Sequence, residues 1–414
     1  MSGGAARQAA ERVARESYGR LVAYLAARTR DVAGAEDALA EAFATALRAW
    51  PDAGVPDNPD AWLLTVARRR QTDALRRRHT QTVGEAHLQL LADEIAAELD
   101  AAAGAETIPD RRLALMFACA HPAIERGMRT PLILQTILGL TAQDIASAFL
   151  ISPATMGQRL VRAKARIKDA GIPFAIPERD ALPERLDAVL EAIYAAYAKG
   201  WGELDGTGAP LADEAIWLGR LIVSLLPEQP EAKGMLALML YAESRRAARR
   251  DPAGAYVPLE QQDTSHWDTE QIDMAEALLG AANAGGPSGR YQIEAAIQSA
   301  HVARRLMGAP TWPAIVALYE HLFTLTHSPV VALNHAAALA EVDGAEAALA
   351  LLDKLANDPR LADYQPYWAA RGHLAAKAGR KDDAHAALTL AIGLSADDAE
   401  RQYLRQQLLA LRDG

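Results

Sequence analysis

The sequence is poor in cysteine and in long apolar runs. Its single cysteine, Cys119, excludes an internal disulfide and a cysteine-rich metal site, and it fits a reducing cytoplasm. No run of about 18 uninterrupted apolar residues occurs, so no membrane span is expected. The first 20 residues lack the apolar stretch of a signal peptide. These absences predict a cytoplasmic chain without a membrane partner.

Catalytic signatures are missing as well. The sequence has no glycine-rich phosphate loop, no GxSxG elbow and no HExxH zinc motif. The ten histidines are scattered, and none has the spacing of a metal ligand set. Cys119 precedes His121, but the neighbouring residues 116–118 favour a buried wall over a nucleophile. We therefore expect no enzymatic activity, no metal and no cofactor.

The composition favours helix almost throughout. Ala, Leu, Glu and Arg dominate and strong β-formers are sparse, so we predict an all-α fold. A chain of 414 residues, of which 50% are hydrophobic, can form about two to four domains with sizeable cores.

The charge is distributed unevenly along the chain. The net charge of −10 argues at first against nucleic acid. However, residues 1–82 carry +3, residues 83–110 carry −7, residues 111–170 carry +6 and residues 171–414 carry −12. Two basic modules separated by an acidic linker and followed by an acidic body indicate that part of the chain binds a polyanion.

The first module contains a predicted amphipathic helix over residues 35–49, with Leu39, Phe43 and Leu47 on one stripe. Three prolines and a glycine predict a loop over residues 50–59, after which Asp60 caps a second helix.

That second helix ends in two arginine triplets, residues 68–70 and 76–78. Six basic residues against one acid repel each other without a partner, and the preceding loop could hold an unstacked base. The alternative is a charged surface helix whose Trp62 belongs to the core.

The second module has the pattern of two helices joined by a tight turn. A short helix starts after Thr141 and ends at Ala148, and Ser152 with Pro153 starts a second helix that continues to about Asp169. The positions expected to be buried are Ile145, Ala148, Met156, Leu160, Val161 and Ile167.

The opposite face of the second helix is basic and polar. A recognition helix lies in the major groove, where Gln suits adenine and Arg suits guanine, while further basic residues meet phosphates. An ordinary helical hairpin with a solvated basic face is the alternative. The residues on this face are Thr155, Gln158, Arg159, Arg162, Lys164 and Arg166.

The third segment is predicted to be helical, with a weak repeat near its end. Gly344 and Gly379 lie 35 residues apart, each in a turn between two helices. The predicted helices are 330–341, 345–356, 367–378 and 381–394, as in helix-pair repeats of tetratricopeptide type.

Several stretches together resemble bacterial extracytoplasmic-function (ECF) RNA polymerase sigma factors, and more closely the subgroup with a C-terminal helical-repeat extension. The resemblance extends over the whole chain and is strongest over residues 10–200. The matching stretches are AGAEDALAEAFATALRAWP, GVPDNPDAWLLTVARRRQTDALRRR, LMFACAHPAI, GLTAQDIASAFLISPATMGQRLVRAKARIKDAGIPF and LPERLDAVLEAIYAAYAKG.

The resemblance implies a sigma-2 domain over 1–82, an acidic linker over 83–110, a sigma-4 helix-turn-helix domain over 111–172 and a helical-repeat regulatory domain over 183–414. Its partners would be promoter DNA and RNA polymerase core, through the β′ clamp helices and the β flap, and the C-terminal domain could dock intramolecularly. The residues implied for the −35 element are those of the basic face above. Those implied for the −10 element are Asp57, Asn58, Arg68, Arg69, Arg70, Arg76 and Arg77. Those implied for core polymerase are Glu36, Asp37, Glu41 and Phe43.

Two departures from the family pattern matter. Arg129-Thr-Pro131 places a proline early in a sigma-4 helix that is usually uninterrupted in the family, so this helix is expected to start there. The second departure is at Arg69. Many members have Asn where this chain has Arg69, so the −10 preference cannot be copied across. Two other classes stay open: a helix-turn-helix regulator with a helical-repeat sensor, and a helical-repeat adaptor that does not contact DNA.

Overall fold

A computed structural model of the chain describes residues 32–79, 110–169, 177–203, 208–284, 288–308 and 311–413, with nine positions between 7 and 25. In these ranges the chain is helical, with a single isolated β-bridge, so the predicted all-α fold is confirmed. The chain divides into two compact units, Met1–Ala196 and Tyr197–Gly414. Residues 83–109 of the predicted acidic linker and residues 170–176 lie outside the described residues, as do the side chains of residues 72–79.

The first unit is formed by α-helices in the ranges that the structure describes. All nine described positions between 7 and 25 are helical. The helices that follow are α1 (Val32–Ala53), α2 (Pro59–His79), α3 (Arg111–Cys119), α4 (Arg126–Thr136), α5 (Ala142–Ala148), α6 (Pro153–Asp169) and α7 (Leu182–Gly202), the last of which continues into the second unit.

The buried stripe of α1 differs from the predicted one. Leu39 is buried as expected, but Leu47 is 48% exposed and Phe43 is only half-buried. Steps of four residues rotate by about 40° around a helix, so a stripe read as 39, 43 and 47 drifts off the core face. Small residues and one indole define the actual face: Ala35, Ala38, Leu39, Ala42, Ala46 and Trp50.

Three predicted helix ends were wrong. Helix α1 runs through Pro51 to Ala53, so the loop before α2 is shorter than residues 50–59. The side chain of Asn58, rather than Asp60, caps α2, because its Oδ1 accepts the Ala61 N–H at 3.1 Å. Helix α4 begins at Arg126 and contains buried Pro131 as its sixth residue, so the helix lacks the backbone hydrogen bond that this position would otherwise donate to Gly127.

The second unit continues with further antiparallel helices and short 3₁₀ turns. The helices are α8 (Ala209–Leu225), α9 (Pro230–Glu243), α10 (Thr269–Asn283), α11 (Arg290–Val302), α12 (Arg304–Met307), α13 (Trp312–Thr326), α14 (Pro329–Leu339), α15 (Ala345–Asp353), α16 (Gln365–Lys377), α17 (Lys381–Leu394) and α18 (Asp398–Asp413).

The four helices predicted near the C-terminus are confirmed as α14 to α17, with ends that differ by a few residues. Gly344 and Gly379 adopt φ values of 87° and 75°, which explains the glycines in both turns. Helices α16 and α17 approach closely at Gly372, where an added Cβ would lie 2.7 Å from Leu388 Cγ.

Candidate nucleic-acid interface

Helices α5 and α6 are joined by a turn whose geometry is fixed by local hydrogen bonds. Thr141 caps α5 reciprocally with Asp144: the Asp144 N–H donates to Thr141 Oγ1 at 3.2 Å, and the Thr141 N–H donates to Asp144 Oδ2 at 3.1 Å. The Ile151 N–H then donates to the Ala146 carbonyl at 3.0 Å. Ser152 caps α6, since its Oγ accepts the Thr155 N–H at 3.2 Å. The predicted helix limits are confirmed here.

The buried face of this pair agrees with the sequence at four of six positions. Ile145, Met156, Leu160 and Ile167 are buried. Ala148 and Val161 are exposed, Val161 by 69%, because Val161 lies one step around the helix from Leu160. The prediction that Val161 is buried, which relied on its apolar side chain, was wrong.

The opposite face of α6 is open to solvent. Arg166 lies 3.7 Å from Glu125, and both side chains are largely exposed, so this ion pair is weak. Because α6 is capped and packed on its other side, its polar side chains project from a fixed surface that a DNA groove can accept. The exposed residues of the predicted set are Thr155, Gln158, Arg159, Arg162 and Arg166.

Lys164 is the exception among the predicted −35 residues. Its Nζ lies 2.6 Å from Oε2 of Glu36 on α1, and the side chains are 28% and 12% exposed. The structure thus joins one residue predicted to bind DNA to one predicted to bind core polymerase.

A second contact lies beside this ion pair. Tyr18 borders Gly139, where an added Cβ would lie 3.5 Å from Tyr18 Cδ1. Burial, then Glu36 and Asp37, raises the pKa of Tyr18 to about 12. Tyr18 also stacks on Phe43, with ring centroids 6.4 Å apart. No signal in the sequence marks Tyr18 as a contact residue, since only the tertiary fold brings it to Gly139.

The residues predicted to meet the −10 element lie at the start and on one side of α2. Asp57 and Asn58 are exposed, although the amide of Asn58 is engaged in capping. Arg68 donates to the hydroxyl of Tyr24 and lies over its ring at 4.6 Å. The side chains of Arg76 and Arg77 lie outside the described residues.

The other two described arginines of α2 face solvent. Arg69 and Arg70 are both exposed, and Arg70 Nε lies 3.2 Å from Glu41 Oε2 on α1. The predicted acidic face of α1 also includes exposed Asp37. Trp62 is half-buried against Trp50, with ring centroids 5.5 Å apart, so its packing fits the core alternative.

Cys119 has the environment of a structural thiol. It is buried, and burial, then Glu36, raises its pKa to about 12, so the reactive thiolate is suppressed at neutral pH. Within the described ranges, no cluster of His, Cys, Asp and Glu could hold a metal ion. None of the helices described is long and apolar enough to cross a membrane.

Comparisons with known proteins give two family matches and two informative relatives. Residues 14–80 match Sigma-70 region 2, and residues 185–283 match a family of unknown function (DUF6596). The chain is 39% identical over 402 residues to the uncharacterized protein R00370 of Rhizobium meliloti, covering 95% of this chain and 92% of that protein. It is 32% identical over 166 residues to the probable RNA polymerase sigma factor RfaY of Xanthomonas campestris, covering 37% and 40% respectively. No solved structure matches significantly.

Proposed function

Since the chain belongs to the RNA polymerase sigma factors, we propose that it binds polymerase core and directs it to a specific set of promoters. The observation that carries this proposal is the match of residues 14–80 to Sigma-70 region 2. That stretch contains the acidic face of α1 and the arginines of α2. We assign the chain to the ECF type of sigma factor, because in the sequence its two basic modules are separated only by an acidic linker.

We assign reading of the −35 element to α6 as the second helix of a helix-turn-helix. Gln158 and Arg159 lie near its start and are exposed, so they can reach base edges in the major groove. Arg162 and Arg166 follow on the same side, where they can meet phosphates and fix the register.

Helices α1 and α2 supply the remaining contacts in this proposal. The exposed acids Asp37 and Glu41 on α1 suit a basic partner helix, here the β′ clamp helices. Arg69 and Arg70 on α2 suit the backbone of the separated −10 strand. Capture of an unpaired strand offsets part of the melting cost, so the chain needs no chemistry of its own.

Run-off transcription tests the proposal. Purified core polymerase is mixed with the chain and with templates from upstream regions of its own genome. We expect new transcripts from discrete start sites, and a reduction of about tenfold or more with Arg159→Ala, because one Arg–guanine contact contributes roughly 1–3 kcal/mol.

Arg126→Ala is the matched control for Arg159→Ala. Arg126 lies in the same module and is exposed. Among the described residues it pairs with exposed Asp187 at 3.5 Å, and such a surface pair contributes little, so loss of the Arg126 side chain should leave transcription unchanged. Absence of core binding and of transcripts would contradict the proposal. Specific DNA binding without core binding would favour a helix-turn-helix regulator instead.

We further propose that the second unit regulates the first, as a tetratricopeptide-like domain. A chain that ends at Ala196 tests this better than one cut at residue 182. Residues 183–196 pack within the first unit, where Arg185 donates to the Phe117 carbonyl at 3.1 Å and Glu191 accepts the Thr130 hydroxyl at 2.6 Å. Equal transcription by the full and shortened chains under all conditions would contradict regulation.

A further inference from the structure

Four arginines follow the end of α9 within six residues, and two of them have carboxylate partners among the residues that the structure describes. Arg246 pairs with Glu243 through Nη2 at 2.9 Å, and Arg250 lies 3.5 Å from Asp397. The other two are Arg245, which precedes Arg246, and Arg249, which precedes Arg250. Arg245 is 5% exposed and Arg249 is 9% exposed, so both guanidinium groups have been removed from water.

Arg304 of α12 lies with the two arginines that have no carboxylate partner among the described residues, and Arg245, Arg249 and Arg304 are called the arginine cluster below. The Arg304 guanidinium donates to the carbonyls of Leu259, Glu260 and Gln262, each at 2.9 Å. In the part of the chain that the structure describes, no carboxylate lies within ion-pair distance of Arg245, Arg249 or Arg304. The cluster therefore holds three positive charges that only neutral groups contact.

An indole joins two of these arginines. The Trp267 ring, 4% exposed, lies 5.1 Å from Cζ of Arg304 and 6.0 Å from Cζ of Arg245. Arg249 is held separately, over the Trp201 ring at 3.6 Å and by donation to the Trp201 carbonyl. Aromatic faces stabilise cations, but an indole carries no net negative charge to balance them.

Two buried hydrogen-bond donors in the cluster have no acceptor among the described residues: Nη1 of Arg245 and Nε1 of Trp267. The other terminal nitrogen of Arg245 donates to Gln298 Oε1 at 2.6 Å. Buried donors are nearly always paired in folded proteins, and a buried cation requires an anion or several strong acceptors. A negatively charged acceptor beside Arg245 would satisfy its Nη1 and balance its charge.

We propose that this cluster is a binding site for a small oxyanion, the carboxylate or phosphate group of a soluble ligand. Arg245 and Trp267 bind the anion directly, and Arg249 and Arg304 supply additional positive potential. Guanidinium groups suit this role because their fork of donors matches the oxygens of carboxylate and phosphate.

The segment from Arg250 to Trp267 covers the cluster. It is anchored by the Val257 N–H, which donates to the Arg249 carbonyl at 2.9 Å, and by the Asp268 N–H, which donates to the Ser244 carbonyl at 2.8 Å. Arg304 holds the same segment through the three carbonyls named above. The site thus lies under a segment with 3₁₀ turns and no α-helix. It goes beyond promoter recognition, because it involves no residue of the first unit.

Thermal unfolding and calorimetry of the full-length chain test the site. The protein is dialysed into a buffer that contains chloride only, and then titrated with inorganic phosphate or with acetate at constant ionic strength. We expect a saturable rise in Tm of about 5 °C or more and a measurable heat of binding. A response to either anion supports the site, and the stronger response identifies the ligand class.

Arg245→Met is the decisive variant, and Arg246→Met is its matched control. We expect Arg245→Met to lose the anion response while its Tm in chloride equals or exceeds that of the wild type, because an uncompensated charge is removed. A purely structural role for Arg245 would lower the Tm. Arg246→Met, which removes a paired arginine, should keep the response.

Wild-type protein alone can refute the site. The proposal is overturned if neither phosphate nor acetate raises the Tm of the wild type above its value in chloride and no heat of binding is measured. This result does not depend on whether the variants fold. A response that persists in Arg245→Met would also overturn the proposal. The test requires no polymerase, so its failure is distinct from failure of promoter recognition.

Discussion

His301 is held uncharged by its surroundings. Burial, followed by the nearby positive charges of Arg245 and Arg304, lowers its pKa from about 6.5 to about 4. Its ring packs against the Trp312 ring in a T-shaped arrangement, with ring centroids 5.4 Å apart. The unfolded chain therefore binds a proton at a pH where the folded chain does not, so stability is complete above pH 6.5 and falls as the pH approaches 4.

From this difference in pKa we expect the free energy of unfolding of the wild type to fall by roughly 2 kcal/mol between pH 7 and pH 5 because of His301. His301→Phe keeps the aromatic contact and removes the titrating group. The free energy of unfolding of this variant should therefore fall by roughly 2 kcal/mol less than that of the wild type over the same pH range. Urea unfolding at both pH values in phosphate-free buffer measures the difference. Exposed His385→Phe is the control and should follow the wild type; identical pH dependence for all three proteins would contradict the assignment.

Single residues show clearly where sequence alone was insufficient. Val161 and Leu47 were assigned to cores because they are apolar, yet both are exposed. Arg245 shows the reverse: nothing in a stretch with four arginines signals burial, yet the fold leaves Arg245 only 5% exposed. Burial depends on which neighbours the fold supplies, and that information is spread over distant parts of the chain.

At the scale of elements, α9 and α11 are joined through a close backbone approach and a cap. An added Cβ at Gly234 would lie 2.7 Å from the Gln292 nitrogen. Glu231, three residues earlier, accepts the N–H groups of Tyr291 at 3.0 Å and Gln292 at 3.1 Å, at the start of α11. A negative charge at a helix N-terminus is favourable, so cap and close approach support each other.

We expect Gly234→Ala to destabilise the second unit by about 1–3 kcal/mol, because the obstructing atoms belong to backbone and cannot rotate away. Gly280→Ala is the matched control: Gly280 lies in α10 with nothing within 4 Å of an added Cβ. That change should be neutral or stabilising by up to about 1 kcal/mol. Equal unfolding midpoints for the two variants would show that α9 and α11 can separate at no cost.

Elements governed by local chemistry could be predicted. The caps at Thr141 and Ser152 and the turns at Gly344 and Gly379 depend on residues within about four positions, so their signals are present in short stretches of sequence. The run of α1 through Pro51 and the start of α4 before Pro131 could not be predicted in this way. In both, the helix includes a proline although it loses one backbone hydrogen bond there, so a rule based on local sequence places the helix end wrongly.

For the whole molecule, the ion pair between Lys164 and Glu36 has a functional consequence. Glu36 is among the residues that the resemblance implies for core polymerase, and Lys164 is among those that it implies for the −35 element, so neither side chain can meet such a partner while the two are paired at 2.6 Å. We expect Lys164→Glu, which replaces attraction by repulsion, to increase affinity for core polymerase about threefold to tenfold in the absence of DNA.

Arg166→Glu is the control for that measurement. It makes the same charge change on α6. However, the ion-pair partner of Arg166 is exposed Glu125, 3.7 Å away, which is not one of the residues predicted to bind core polymerase. Competition binding with labelled core polymerase compares the two. Equal affinities for both variants would mean that the pair does not compete with core binding.

The position of Cys119 gives experimental access to this event. The thiol is buried, and the charges of both Glu36 and Lys164 influence it, so it lies near the contact between the two helical modules. It is also the only sulfhydryl in the sequence. A maleimide dye added to unmodified protein can therefore label one site only, at a rate set by how often that contact opens. Comparing labelling with and without core polymerase would follow the opening in time, with no engineered cysteine.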